Sequence, residues 1–307
     1  MNTLRRGSGH GVRLIALSIV SLFAASCVAR EAAAPAPSAA ESAPRPIVVQ
    51  GAMDVETRRL AGALENAKEE KVQGWTFWRG TVNGYPVIVS KTLKGMANAA
   101  AATALAAQLY HPVAIVNQGT SGGHQPDLQV YDIVLGAESV NLGSFKTGYR
   151  PRGRGSELAE WVPLDLNRTD GSAAENPDAH RMRRFAGDRE LLAAAKSVSG
   201  RYQKGRVVEG IIGSADVWNS EIDRIDRFHR EYGTAVEEME TASAAQIAGL
   251  FGVPFLGIRV LSNNITNGGT YDPRTGEACQ DYVVEVVKAY IAQRLQPAQV
   301  TAQSPAR

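Results

Sequence analysis

From residue 46 to residue 295, short apolar runs rich in β-branched side chains alternate with longer stretches whose apolar positions recur at helical spacing. The runs 46–50 (PIVVQ) and 113–117 (VAIVN) have the length and composition of buried strands. Further strands are predicted over 75–82, 85–92, 130–140, 206–213, 234–239 and 254–261, with Asn83-Gly84 marking a two-residue hairpin turn between the first two. Helices are predicted over 54–68, where Leu60 and Leu64 stand four apart, over the Ala-rich 96–109, and over 220–232, 240–252 and 277–295. Strands that alternate with helices bury their apolar faces in a largely parallel or mixed sheet covered on both sides. The chain therefore reads as an α/β protein, and in such folds ligands sit at the carboxyl ends of the strands. Residues 143–186, rich in Gly, Arg, Asp, Asn and Pro, are long for a loop in a compact domain, so they either serve function or hold a short helix.

The N-terminus has a different character. Arg5, Arg6 and Arg13 precede an uncharged apolar stretch over 14–25, the layout of an export signal, whereas a spanning helix needs about 20 apolar residues. Ala24-Ala25-Ser26-Cys27 places small residues directly before a cysteine, which resembles a lipobox with Cys27 as the lipidated residue; the alternative is ordinary cleavage after Ala29. Residues 1–27 are expected to act as a lipoprotein-type signal, 28–45 as an Ala/Pro-rich tether, 46–295 as one domain and 296–307 as a disordered tail. The domain would then be exported, periplasmic or in the cell envelope and joined to the membrane through its lipid anchor, or else secreted. The chain has 33 basic and 31 acidic side chains, and residues 1–26 contribute three Arg and no acid. The remainder is near neutral and lacks the basic footprint of a nucleic-acid binder. After Cys27 the one cysteine is Cys279, which excludes an internal disulfide framework, and five scattered histidines show no metal spacing. No metal is expected.

Five segments at predicted strand ends carry polar residues of the kind that chemistry needs: 51–56 (GAMDVE), 117–123 (NQGTSGG), 213–218 (GSADVW), 236–241 (VEEMET) and 259–263 (RVLSN). Singly, each has an ordinary explanation. Glu56 and Glu240 in first helical turns suit the helix dipole, and Arg259 suits a buried acid. In this order and spacing, over about residues 46–295, the segments resemble the 5'-methylthioadenosine/S-adenosylhomocysteine nucleosidases, within the wider purine nucleoside and uridine phosphorylase family.

The resemblance implies a single three-layer α/β/α domain around a mixed, partly closed central sheet, assembled as a homodimer, with no cofactor. It also implies N-glycosidic hydrolysis through an oxocarbenium-like sugar. Glu56 would activate water on the face opposite the base, with Thr120 and Arg259 holding that water. Glu240 would grip the ribose hydroxyls, with Met239 against the sugar and Glu238 assisting. Trp218 would stack on the base and the Asn219 backbone would read its edge. Met53, Ser121 and Gly122 complete the substrate-binding candidates.

Two positions refine this. Hexameric phosphorylases of the family place a phosphate-binding Arg where this chain has Asn117, and bidentate guanidinium suits phosphate, so water is favoured over phosphate as nucleophile. The related nucleosidases follow the serine at the position of Ser262 with an Asp that protonates purine N7, and here Asn263 stands there. An amide can donate a hydrogen bond to N7 but cannot supply a proton. Three readings follow: hydrolysis of adenine nucleosides with a hydrogen-bonding Asn263, preference for a 6-oxopurine nucleoside, or binding without turnover. Outside hydrolysis, the alternatives are a phosphate-dependent phosphorylase and a non-catalytic extracytoplasmic nucleoside-binding protein.

Overall fold

The computed structural model describes residues 44–155, 157, 160–164 and 183–295. The expected signal, Cys27, nearly all of the tether and the 296–307 tail lie outside the described residues, as does part of the 143–186 segment.

The β-branched run at Ile47–Gly51 forms β1, buried along its whole length. It pairs in parallel with β4 (Tyr85–Lys91) on one side and β5 (Ala114–Gly123) on the other. Between them come α1 (Asp54–Gly62), β2 (Glu65–Val72), β3 (Trp75–Val82) and α2 (Met96–Tyr110). The Asn83-Gly84 turn joins β3 to β4 with φ of 51° and 73°, the two left-handed residues that a twisted hairpin requires. The second half adds β6 (Ile133–Asn141), β7 (Phe145–Lys146), β8 (Val162–Pro163), β9 (Arg184–Ala186), α3 (Arg189–Ser197) and β10 (Val207–Ser214). It ends with α4 (Ile222–Tyr232), β11 (Thr234–Glu238), α5 (Thr241–Leu250), β12 (Phe255–Asn263) and α6 (Arg274–Tyr290).

The main sheet runs β11-β10-β6-β12-β5-β1-β4-β3-β2, with β9 beside β6. It is mixed and partly closed: β11 returns to pair antiparallel with the end of β5, Val236 opposite Gly123 and Glu237 opposite Gly122. Helices cover both faces. On one, Leu60 of α1, Leu191 of α3 and Val283 of α6 pack on Val49, Val116 and Ile258. On the other, the alanines of α2 and α5 pack on Val48, Phe77, Ile88 and Ile115. Small side chains let those two helices lie close to the sheet.

Three expectations need correction. The helix expected over 54–68 stops at Gly62, and Glu65–Val72 is an edge strand paired antiparallel to β3. Its Glu, Lys and Ala residues favour helix locally, but pairing with the aromatic strand β3 overrides that preference. Gly80 on β3 assists, because a Cβ there would meet Glu65 O at 2.6 Å. The strand expected over 113–117 runs on through the glycine-rich 119–123, which is the second half of β5, zipped to β12 through Gly119–Arg259 and Thr120–Val260. Finally, α3 falls just after the 143–186 segment, where no helix was expected.

Candidate active site

The carboxyl ends of β1, β5, β10, β11 and β12 converge on one cavity of about 790 Å³. Met53, Glu56, Thr120, Ser121, Gly122, Trp218, Asn219, Glu238, Met239, Glu240 and Asn263 all line it. Among the candidates, Arg259 does not.

Glu56 sits on the third residue of α1 and is almost fully buried. Its Oε2 accepts from the backbone N–H groups of Ala52 (2.9 Å) and Met53 (3.2 Å), so it caps its own helix. Its Oε1 accepts from the Thr120 N–H (2.9 Å) and Thr120 hydroxyl (3.0 Å). The approach depends on Gly119, since a Cβ there would stand 2.8 Å from Glu56 Oε1.

A second acidic group lines the same cavity. Glu238 Oε2 takes the Arg259 guanidinium through Nε (3.0 Å) and Nη2 (2.5 Å), and its carboxylate also accepts from the Ser214 hydroxyl and the Glu240 and Thr241 N–H groups. Burial alone would raise its pKa, but the Arg259 charge and these hydrogen bonds outweigh burial and hold Glu238 below the usual carboxylate range. The remaining Arg259 donors go to Asn117 Oδ1 (2.5 Å), Asn117 O (3.0 Å) and Ile258 O (3.0 Å). Arg259 is therefore placed to fix Glu238 and not to hold a water with Thr120. Asn117 is buried against Arg259 and Gln50, away from the cavity wall.

Glu240 is the counterpart. Burial first, then the neighbouring Glu238 charge, push its carboxyl up to about 8, while Arg259, 3.9 Å away, pulls the other way. Its Oε1 accepts from the Gly95 N–H (2.9 Å) at the start of α2. Gly95 has φ of 98°, a conformation that glycine adopts without strain, and the adjacent Met96 N–H is taken by Asp216 Oδ1 (2.7 Å). The helix N-terminus thus turns a donor toward the acidic pair.

Around Asn263, the Ser262 hydroxyl lies 2.8 Å from Asn263 Oδ1 and 3.0 Å from the Ser121 carbonyl oxygen. Asn263 Nδ2 points to Gly122, where a Cβ would be 3.4 Å away. Trp218 stands at the rim, 65% exposed, with its ring edge-on to Tyr271 at 5.9 Å. The Asn219 side chain turns inward and donates to Glu237 Oε2 at 2.7 Å.

Lys94, His124, Glu237, Asn264 and Tyr271 also line the cavity and were missed. Tyr271 lies in a turn beyond β12, and His124 belongs to no spacing pattern. Glu237 had a weak signal as the first acid of Glu-Glu-Met-Glu, where alternation along a strand puts neighbours on opposite faces. Among the described residues there is no cluster that could hold a metal ion.

A mixed, partly closed sheet with acids gathered at its strand ends defines an α/β domain with one concave acidic site. Solved structures agree on the fold: a 5'-methylthioadenosine/S-adenosylhomocysteine nucleosidase from Neisseria meningitidis, in complex with methylthio-immucillin-A, superposes with TM-score 0.64 at 23% identity over 80% of this chain and 99% of that one. The futalosine hydrolase of Helicobacter pylori superposes with TM-score 0.63 at 20% identity over 80% and 97%. The phosphorylase superfamily model matches residues 46–292, and the chain belongs to that family. Among its curated relatives, the 5'-methylthioadenosine/S-adenosylhomocysteine nucleosidase of Shewanella piezotolerans is 31% identical over 74% of this chain and 89% of its own length. That of Bacillus cytotoxicus is 31% identical over 71% and 85%.

Proposed function

We propose that the protein is a purine nucleosidase of the methylthioadenosine/S-adenosylhomocysteine type, which hydrolyses the bond between ribose C1' and purine N9. The observation that carries this reading is the pair of acidic groups that line one cavity, Glu56 braced by Thr120 and Glu240 braced by Gly95. The nucleosidase names of the relatives support it.

In the reaction the C1'–N9 bond breaks and its electron pair leaves with the purine, so positive charge develops on the sugar. Glu240, as carboxylate, accepts from the ribose hydroxyls and offsets that charge, with Glu238 beside it and Met239 against the ring. Water forms the new bond to C1', and its proton passes to Glu56. Thr120 positions the Glu56 carboxylate and gives the water a hydroxyl partner. Asn263 Nδ2 donates to purine N7, stabilising the departing base, which takes its proton from solvent. Trp218 covers the base from the rim.

Water is favoured over phosphate by the cations available. Lys94 is the one Lys or Arg among the described residues lining the cavity, Asn117 stands where the hexameric phosphorylases of the family place a phosphate-binding Arg, and the Arg259 donors are directed to Glu238, Asn117 and Ile258. The export expectation extends the proposal: with Cys27 lipidated, the domain works on nucleosides outside the cytoplasm, as a homodimer.

The test is free-base release from methylthioadenosine, S-adenosylhomocysteine, adenosine, inosine and guanosine, followed by chromatography. Wild-type protein should release base from at least one, and Glu56→Gln should lower kcat by about 10²–10⁴, the range for a lost general base. No release from any nucleoside contradicts the reading.

A further inference from the structure

The start of α2 brings no acid of its own. Its N-cap is Gly95, which has no side chain, and its first turn holds no carboxylate. The leading N–H groups of a helix need acceptors from outside it. Two acids from the second half of the chain supply them here. Glu240 Oε1 takes the Gly95 N–H at 2.9 Å, and Asp216 Oδ1 takes the Met96 N–H at 2.7 Å. Glu240 is buried in the cavity, whereas Asp216 is exposed, on the segment between β10 and α4 that also carries Trp218. The hydrolysis above uses Glu240 and gives Asp216 no part.

The two bonds are linked through the backbone. Gly95 has φ of 98°, and a glycine reaches either sign of φ at little cost, so nothing in the residue itself aims its N–H. Its direction is set by what holds the chain on each side. Before it, the Thr92 N–H donates to the Gly51 carbonyl at 2.9 Å. After it, the planar Gly95–Met96 peptide carries the Asp216 hold on the Met96 N–H back to Gly95. The fit is close, since a Cβ on Gly95 would stand 3.0 Å from Asp216 Oδ1.

We infer that Asp216 is a positioning residue: by holding the Met96 N–H, it keeps the Gly95 N–H on Glu240 and so sets the carboxyl that grips the sugar. The part played by Glu240 rests on the nucleosidase reading above. Burial and then the Glu238 charge from β11 push the Glu240 carboxyl up to about 8; Arg259 from β12 opposes them, Glu56 from α1 adds to them, and the Gly95 N–H opposes them. Lys94, His124 and Glu237 line the same cavity. A substitution at Asp216 replaces none of these groups, so its effect on Glu240 runs through the start of α2.

The experiment compares wild type, Asp216→Ala and Asp216→Asn by the pH dependence of kcat/KM for a cleaved nucleoside. It also titrates the Glu240 carboxyl by carbon NMR, its signal assigned by loss in Glu240→Gln. A lost hydrogen bond to a charged group is worth about one pH unit or more, so Asp216→Ala should raise the Glu240 midpoint and the rising limb by that much. The rate should fall about tenfold at pH 7 and return to within about twofold of wild type at pH 9.5. Asp216→Asn keeps an acceptor oxygen without the acid and should titrate with wild type. An unmoved midpoint in Asp216→Ala, a loss of rate equal at every pH, or an Asn variant that behaves as the Ala variant overturns the inference while base release still upholds the nucleosidase. If no nucleoside is cleaved, the nucleosidase reading fails and the carboxyl titration decides by itself. A midpoint raised in Asp216→Ala and restored in Asp216→Asn then supports the positioning role; an unmoved one refutes it.

Discussion

Two carboxylates less than a helical turn apart in sequence, Glu238 and Glu240, are driven in opposite directions by their surroundings. Arg259 overcomes the burial of Glu238, whereas burial and the Glu238 charge push Glu240 up to about 8. Because the proposed chemistry needs Glu240 ionised, kcat/KM should rise with pH through about 8 and level above it, since this ratio reports the free enzyme. Glu240→Gln should lower activity and abolish that limb. A flat wild-type profile between pH 6 and 9 would contradict the assignment. The same group links to stability. Between the usual carboxylate range and about 8, folded Glu240 holds a proton that the unfolded chain has lost, so its contribution to stability declines as pH rises through that window. Urea melts at pH 5 and pH 8.5 should therefore show Glu240→Gln gaining on wild type at the higher pH.

At the scale of elements, β5 decides where the Glu56 carboxylate sits. Gly119 leaves space for Glu56, and Gly122 leaves space for Asn263. Gly119→Ala would drive a methyl group to 2.8 Å from Glu56 Oε1 and displace the carboxylate. Base release should fall by about 10²-fold, the scale of a misplacement near 1 Å, while circular dichroism stays native; near wild-type turnover would show that the approach is dispensable. The strands and helices that hold this arrangement were largely legible. β-branched runs marked β1 and β10 to β12, and Asn83-Gly84 marked its hairpin. What escaped was decided by strand pairing. Glu65–Val72 looks helical until β3 pairs with it, and 119–123 falls outside the expected strand until β12 zips to it. The site divides the same way. Residues set within strand-end motifs, such as Glu56, Glu240 and Asn263, could be picked out, whereas His124 and Tyr271 reach the cavity through the closure of the sheet and a turn beyond β12. Arg259 was picked out for its residue type, but only the fold shows that its donors face Glu238 and Asn117.

For the whole molecule, the sheet is closed at one end and open at the other. β5, β12, β6, β10 and β11 form the closed part, which bears most of the cavity, and β2 is a charged, exposed edge. Amide exchange should be graded accordingly, with β5 and β12 exchanging at least about 10²-fold more slowly than β2, as local opening is easiest where few apolar contacts hold. Uniform exchange across the sheet would mean that the closure adds no local stability. This closed end also sets Glu237 opposite Gly122, so that the first acid of β11 lines the cavity.

The most direct test of the account is the origin of the oxygen on the released sugar. Turnover of a cleaved nucleoside in phosphate-free buffer made with H₂¹⁸O should give free ribose, or its 5'-substituted form, carrying ¹⁸O at C1 in step with base release, and added phosphate should leave the rate as it is. Strict dependence on phosphate, with sugar 1-phosphate as the product, would contradict it.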